Sequence, residues 1–166
     1  MKVLVAYYSE TGNTEKLAKA IYEGIAQVEK DISPISEVRE LDQYDLIFCG
    51  FPVHSHSVPR KAEAFIKNLP TGKNVAFFAT HGSLRGGQLA VTAFYHALSL
   101  TSKGMVLGTF GCRGSVKPAL IESLLNKAEY RSWALEAQSA AGHPDQGDLE
   151  DAKEWANWMI RKARSK

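Results

Sequence analysis

Residues 9–14 read Ser-Glu-Thr-Gly-Asn-Thr, with Ser9, Thr11, Asn13 and Thr14 set around Gly12. Hydroxyl and carboxamide groups supply neutral hydrogen bonds, and glycine lets the backbone come close to a ligand. The apolar run ahead of this stretch reads as a strand and the pattern from Thr14 onward as a helix. The hexapeptide therefore falls at a helix start, where unpaired N–H groups and the positive end of the dipole favour an anion. It contains no Lys or Arg, so dipoles and hydrogen bonds would balance the charge. Plain capping by Asn13 or Thr14 is the competing account. The position behind a first buried strand, with hydroxyls on both sides of the glycine, favours a phosphate cradle over it.

Other chemistry-bearing residues point less clearly. His54 and His56 lie two apart and His81 follows a later strand. Residues at i and i+2 face opposite ways on an extended chain, and no neighbouring Cys or carboxylate completes a metal set. Polar loop histidines are the simplest account, and no metal is expected. Cys49 lies within a strand pattern and reads as a small buried hydrophobe. Cys112, beside Arg113, reads as structural, with an exposed, acidified thiol as the alternative. Neither begins the C-x-x-x-x-x-R of a thiol phosphatase. G-x-x-x-x-G-K-[ST] is missing, and no G-x-G-x-x-G follows the first strand, which argues against nucleotidase and dinucleotide folds.

The elements that must position these residues alternate. Apolar runs at 2–8, 45–51, 74–80 and, more weakly, 104–110 have the consecutive hydrophobic residues of strands buried on both faces. A polar stretch at 32–38 reads as an edge strand, where Pro34 is tolerable. Helical spacing recurs from Thr14, from Pro59, from about Gly87 to Ser102, and over 148–163 with Asp148 as the expected N-cap. This alternation predicts an α/β doubly wound parallel sheet of five strands with helices on both faces, in one domain spanning 1–166. Such sheets bind ligands beyond the carboxyl ends of their strands. The loops that matter then begin at Ser9, Pro52 and Thr80.

Composition adds bounds. Hydrophobic residues make up 45% and charged residues 23%, an ordinary globular balance, and a net charge of +2 demands neither nucleic acid nor an anionic membrane. No apolar run reaches spanning length, and a cytoplasmic location is the expectation.

The S-x-T-G-N-T loop behind a first buried strand resembles the FMN-phosphate loop of the flavodoxin family. The strand and helix order extends that likeness over most of the chain, and GHPDQGDLEDAKEWA resembles the close of its single-domain members. The resemblance implies a flavodoxin-like sheet of order 2-1-3-4-5 and noncovalent FMN. Ser9, Glu10, Thr11, Gly12, Asn13 and Thr14 would hold the phosphate. Pro52, Val53, His54 and Ser55, with Thr80, His81, Gly82 and Ser83, would flank the ring. The family commonly places a glycine in the second loop, but none occurs between Gly50 and Pro59, which weakens the expectation of a strongly stabilised half-reduced flavin. Arg85 and Arg113 would add positive charge at the ring. The implied function is electron transfer between a reductase and an acceptor protein. The alternatives are an NAD(P)H-dependent FMN reductase or quinone-type oxidoreductase, and a cofactor-free interaction module. Oligomeric state stays open.

Overall fold

Apolar runs become the strands of one parallel sheet in the computed structural model, which describes residues 1–101 and 104–165. The elements are β1 (Lys2–Tyr7), α1 (Asn13–Gly24), β2 (Glu29–Pro34), β3 (Leu46–Pro52), α2 (Arg60–Lys67), β4 (Asn74–His81), α3 (Gln88–Leu100), β5 (Met105–Arg113), α4 (Pro118–Leu125), α5 (Arg131–Gln138) and α6 (Gln146–Arg164). The strands lie in the order β2-β1-β3-β4-β5, all pairs parallel, as expected. Among the described residues no helix is long and apolar enough to cross a membrane.

The period of two along each strand divides the core into two layers. Val3, Val5, Phe48 and Phe78 face α1 and α6, where they meet Leu17, Ile21, Trp155 and Met159. Leu4, Ile47, Phe51 and Phe77 face the opposite way, onto Ala62 and Ile66 of α2 and Ala93 and Ala97 of α3. Burial on both faces explains why these strands show continuous rather than alternating hydrophobicity. Trp155 packs against Phe48 and Phe110, with ring centroids 5.5 and 5.4 Å away.

Two expectations are corrected. The edge strand is Glu29–Pro34, not 32–38, because Ile35 N–H makes the last bond to Tyr7 O and Glu37 N–H then closes a turn on Pro34 O. The last helix is capped by Asp145; Asp148 sits three residues on and completes a reciprocal capping box. Two short helices, α4 and α5, add to the elements expected from the sequence and pack Ile121, Ala134 and Ala137 in a small cluster of their own. The third helix ends at Leu100, and Ser102, its expected end, lies outside the described residues.

Candidate functional site

The first loop leaves β1 and enters α1 through Gly12, at φ 90°, a left-handed conformation that L side chains rarely adopt. Space is not the constraint, since a Cβ there would meet nothing within 4 Å. Ser9 Oγ accepts a hydrogen bond from Gly12 N–H at 3.1 Å and so sets the entry angle. No side chain caps the start of α1. The first-turn N–H groups therefore face outward in an exposed loop, the arrangement that receives an oxyanion.

The other loop residues divide between that cradle and its support. Thr11 is exposed. Thr14 is buried, and its hydroxyl lies 2.8 Å from that of buried Thr80, joining the start of α1 to the end of β4. Asn13 Nδ2 donates to Ser115 O at 2.9 Å and to Thr11 Oγ1 at 3.2 Å. The Glu10 carboxylate accepts from the Tyr8 hydroxyl and lies 3.3 Å from His54 Nε2, tying the first loop to the second. That bond to Glu10 and burial push the Tyr8 phenol above its ordinary range.

The second loop is a two-residue hairpin turn. His54 and Ser57 exchange both backbone hydrogen bonds, at 3.0 and 2.8 Å. Ser55 and His56 between them have φ of 45° and 66°. Positive φ at both central positions defines a type I′ turn, which normally selects Gly or Asn. The missing glycine is thus replaced by two residues held in left-handed conformations. Ser57 Oγ pairs with His96 Nδ1 of α3 at 2.6 Å, anchoring the turn from below. Pro52 and Val53 are half-buried, while His54 and Ser55 are exposed at its tip. Val53 N–H donates to Thr80 O, so the second and third loops start from adjoining strand ends.

In the third loop Thr80, His81 and Ser83 are buried and Gly82 is half-buried. Gly82 is required by close approach, since a Cβ there would stand 2.6 Å from Val116 Cγ2. Leu84 N–H is bonded to the Glu136 carboxylate. His81 is only 5% exposed. Its Nδ1 lies 3.0 Å from Ser83 O; a carbonyl can only accept, so Nδ1 carries the proton. Its Nε2 is buried without a partner, and burial pushes the imidazole below its usual range, with Arg113 adding to that and the Ser83 bond opposing it.

The two arginines are spent on the protein itself. Arg85 pairs with Asp151 of α6 and lies over the Phe110 ring. Arg113 donates to the carbonyl oxygens of Glu136 and Ser139 at the end of α5. The charge of Arg85 is thus balanced by Asp151, while Arg113 keeps its charge and is anchored on the carbonyl oxygens of α5. Cys112 is fully buried, and burial raises its thiol far above the usual range. It is structural, as is Cys49.

Three features escaped the sequence. Ser115 forms the back of the first loop: its carbonyl holds Asn13, while its N–H and hydroxyl bond His143 O at 2.8 and 3.0 Å. No motif marks it. His143, Asp145 and Asp148 lie within metal-ligand distance of one another, but the aspartates serve the capping box and His143 Nδ1 pairs with Asp148 Oδ2 at 2.6 Å. In addition, a groove of about 1150 Å³ runs beside Tyr8 and Ser9, between residues 34–42 and α2. It opens there because the β2–β3 connection contains no helix.

Comparison with known proteins bears on this site. The family model described as "Flavodoxin domain" matches residues 4–157. A flavodoxin-like domain-containing protein, BilS, from Clostridioides difficile (strain CD3) is 29% identical over 98% of both chains. An NAD(P)H dehydrogenase (quinone) from Paraburkholderia phymatum is 26% identical over 98% of this chain and 96% of its own. Among solved structures, a short-chain flavodoxin associated with a PDU bacterial microcompartment superposes with a TM-score of 0.68, at 16% identity over 98% of this chain and 99% of its own. A flavoprotein in complex with FMN from Lactobacillus acidophilus NCFM gives 0.54, at 22% identity over 66% and 92%.

Proposed function

The chain belongs to the flavodoxin domain family, and we propose that it is a cytoplasmic FMN-binding redox protein that carries electrons between a reductase and an acceptor. The observation that carries this reading is the start of α1: an exposed, glycine-led helix N-terminus with no side-chain cap. Such a terminus accommodates an oxyanion, and a phosphate monoester is one. The comparison with an FMN-bound flavoprotein supports the same cofactor.

FMN, when bound, supplies the redox chemistry by taking up and releasing electrons. The chain supplies binding and orientation. Ser9 and Thr11 offer hydroxyls, while Glu10, Asn13 and Thr14 offer backbone N–H groups to the phosphate and Gly12, whose N–H is held by Ser9 Oγ, turns the loop. The side chains of Asn13 and Thr14 brace the loop from behind. Pro52, Val53, His54 and Ser55 flank one side of the ring, and Thr80, His81, Gly82 and Ser83 the other. The partners in this reading are a reductase protein and an acceptor protein.

The deciding experiment is titration of apoprotein with FMN and riboflavin, followed by quenching of flavin fluorescence. One-to-one quenching by FMN is expected. Riboflavin, which lacks the phosphate, should bind about 100-fold more weakly, the equivalent of ~3 kcal/mol from two charge-assisted hydrogen bonds. No quenching by FMN overturns the reading. A second reading, a stand-alone NAD(P)H-dependent quinone oxidoreductase, is favoured by the relative from Paraburkholderia phymatum. Steady turnover of NAD(P)H with a quinone by the FMN-loaded protein alone would select it over the carrier.

A further inference from the structure

Helix α1 has no side-chain cap at its start, yet its first turn is not loose. Two side chains leave that turn for main-chain carbonyls far along the sequence. Asn13 Nδ2 donates to Ser115 O at 2.9 Å, and Lys16 Nζ donates to Pro144 O at 2.5 Å. The two receiving segments are joined to one another. Ser115 N–H donates to His143 O at 2.8 Å, and Ser115 Oγ accepts from Gly142 N–H at 3.0 Å. Gly114 N–H donates to His81 O at 2.9 Å, which keeps this stretch on the end of β4. Asn13 packs directly on Gly114, where a Cβ would stand 2.9 Å from Nδ2. Behind them, His143 Nδ1 pairs at 2.6 Å with Oδ2 of Asp148, a buried residue in the first turn of α6.

Resting on the FMN reading, we propose that Ser115 and His143 are positioning residues of the phosphate cradle. They fix Asn13 from outside α1 and so set how strongly the chain prefers a phosphorylated flavin to an unphosphorylated one. The physical basis is preorganisation. Uncapped N–H groups serve an oxyanion only when they point at it, and a helix end that nothing holds frays. Fixing the turn beforehand removes an ordering cost that binding would otherwise meet. The Asn13 amide is spent on a carbonyl of the protein, so that bond acts on the phosphate through the placement of the loop. Ser115 Oγ and the His143 ring are likewise bonded to protein groups. The hold reaches the first turn of α1 from residues about a hundred positions later, through α6.

Affinities of the apoprotein for FMN and for riboflavin, read by quenching of flavin fluorescence, test this, because their ratio isolates the phosphate. Asn13→Ala and His143→Ala should each weaken FMN binding about tenfold, while riboflavin affinity stays within about twofold of wild type. His143→Asn should restore the ratio, since its amide nitrogen stands as many bonds from Cα as Nδ1 does and can donate to Asp148. Ile160→Val, a mild truncation in the core, should lower the urea midpoint and leave the ratio alone. An unchanged ratio in either alanine variant overturns the proposal, as does a ratio that falls as far in Ile160→Val. Should His143→Ala lose its native circular dichroism, Asn13→Ala carries the same test. The apoprotein gives a reading that needs no flavin. Lys16 N–H closes the first turn on Gly12 O at 2.9 Å, and its hydrogen exchange should quicken about tenfold in both alanine variants. If the wild type binds no FMN, the FMN reading fails by itself. Exchange at Lys16 then decides whether the turn is held from outside: faster exchange upholds that hold, and unchanged exchange overturns it.

Discussion

Thr14 has the residue type of a phosphate ligand, yet its hydroxyl faces inward to Thr80, 2.8 Å away and out of solvent. A buried hydroxyl left without a partner costs about 1–3 kcal/mol, while removing both members of a pair with shape kept is nearly neutral. Thr14→Val and Thr80→Val should each destabilise folding by roughly that amount. The double variant should lose clearly less than the sum, and urea midpoints across the cycle provide the check. Strictly additive losses would show that the two hydroxyls do not support one another. Asn13 divides in the same way, its backbone on the exposed side and its amide bonded to Ser115 O behind.

At the scale of elements, the third loop depends on the protonation of one ring. His81 Nδ1–H holds the Ser83 carbonyl, and Nε2 lies bare in a buried setting. Burial, helped by Arg113, lowers its pKa, while Glu136 and Asp148 oppose the shift. The unfolded chain therefore binds a proton at this residue before the folded one does. Stability from neutral His81 is fully present above the unfolded value of about 6.5 and is lost as pH falls through the lower folded value. His81→Asn keeps a donor for Ser83 and removes the titration. Between about pH 7.5 and pH 5 its stability should fall less steeply than that of wild type. Parallel decline of the two urea midpoints would show that another group carries the pH dependence.

Across the whole molecule, order is unevenly distributed. β1, β3 and β4 are buried on both faces, whereas α4 and α5 rest on a cluster of their own with few buried side chains. Local opening should follow that difference. Hydrogen exchange should be fastest in residues 118–138 and slowest in β1, β3 and β4. Protection of α4 and α5 equal to that of the central strands would show that the small cluster unfolds only with the sheet. The first loop meets the chain on either side of this segment, where Ser115 holds Asn13 and is itself bonded to His143 O.

The strands and the helices from Asn13, Arg60 and Gln88 were legible in the chain because burial on one or two faces imposes a local period on residue type. The first loop was legible for the same reason: a strand end, a glycine and a helix start are adjacent in sequence. The edge strand was misplaced at both ends because polar edge positions carry no hydrophobic period. α4 and α5 were missed because short helices that bury only one or two residues each leave little pattern. What only the tertiary structure decided is where each side chain spends its polar groups. Asn13 reaches Ser115, Thr14 reaches Thr80, and Arg85 and Arg113 reach Asp151 and the end of α5. These partners lie tens of residues apart in the chain, so no local spacing could reveal them. The outward turn of Tyr95 was hidden likewise, since apolar residues on more than one face of α3 do not declare which of them meets the sheet.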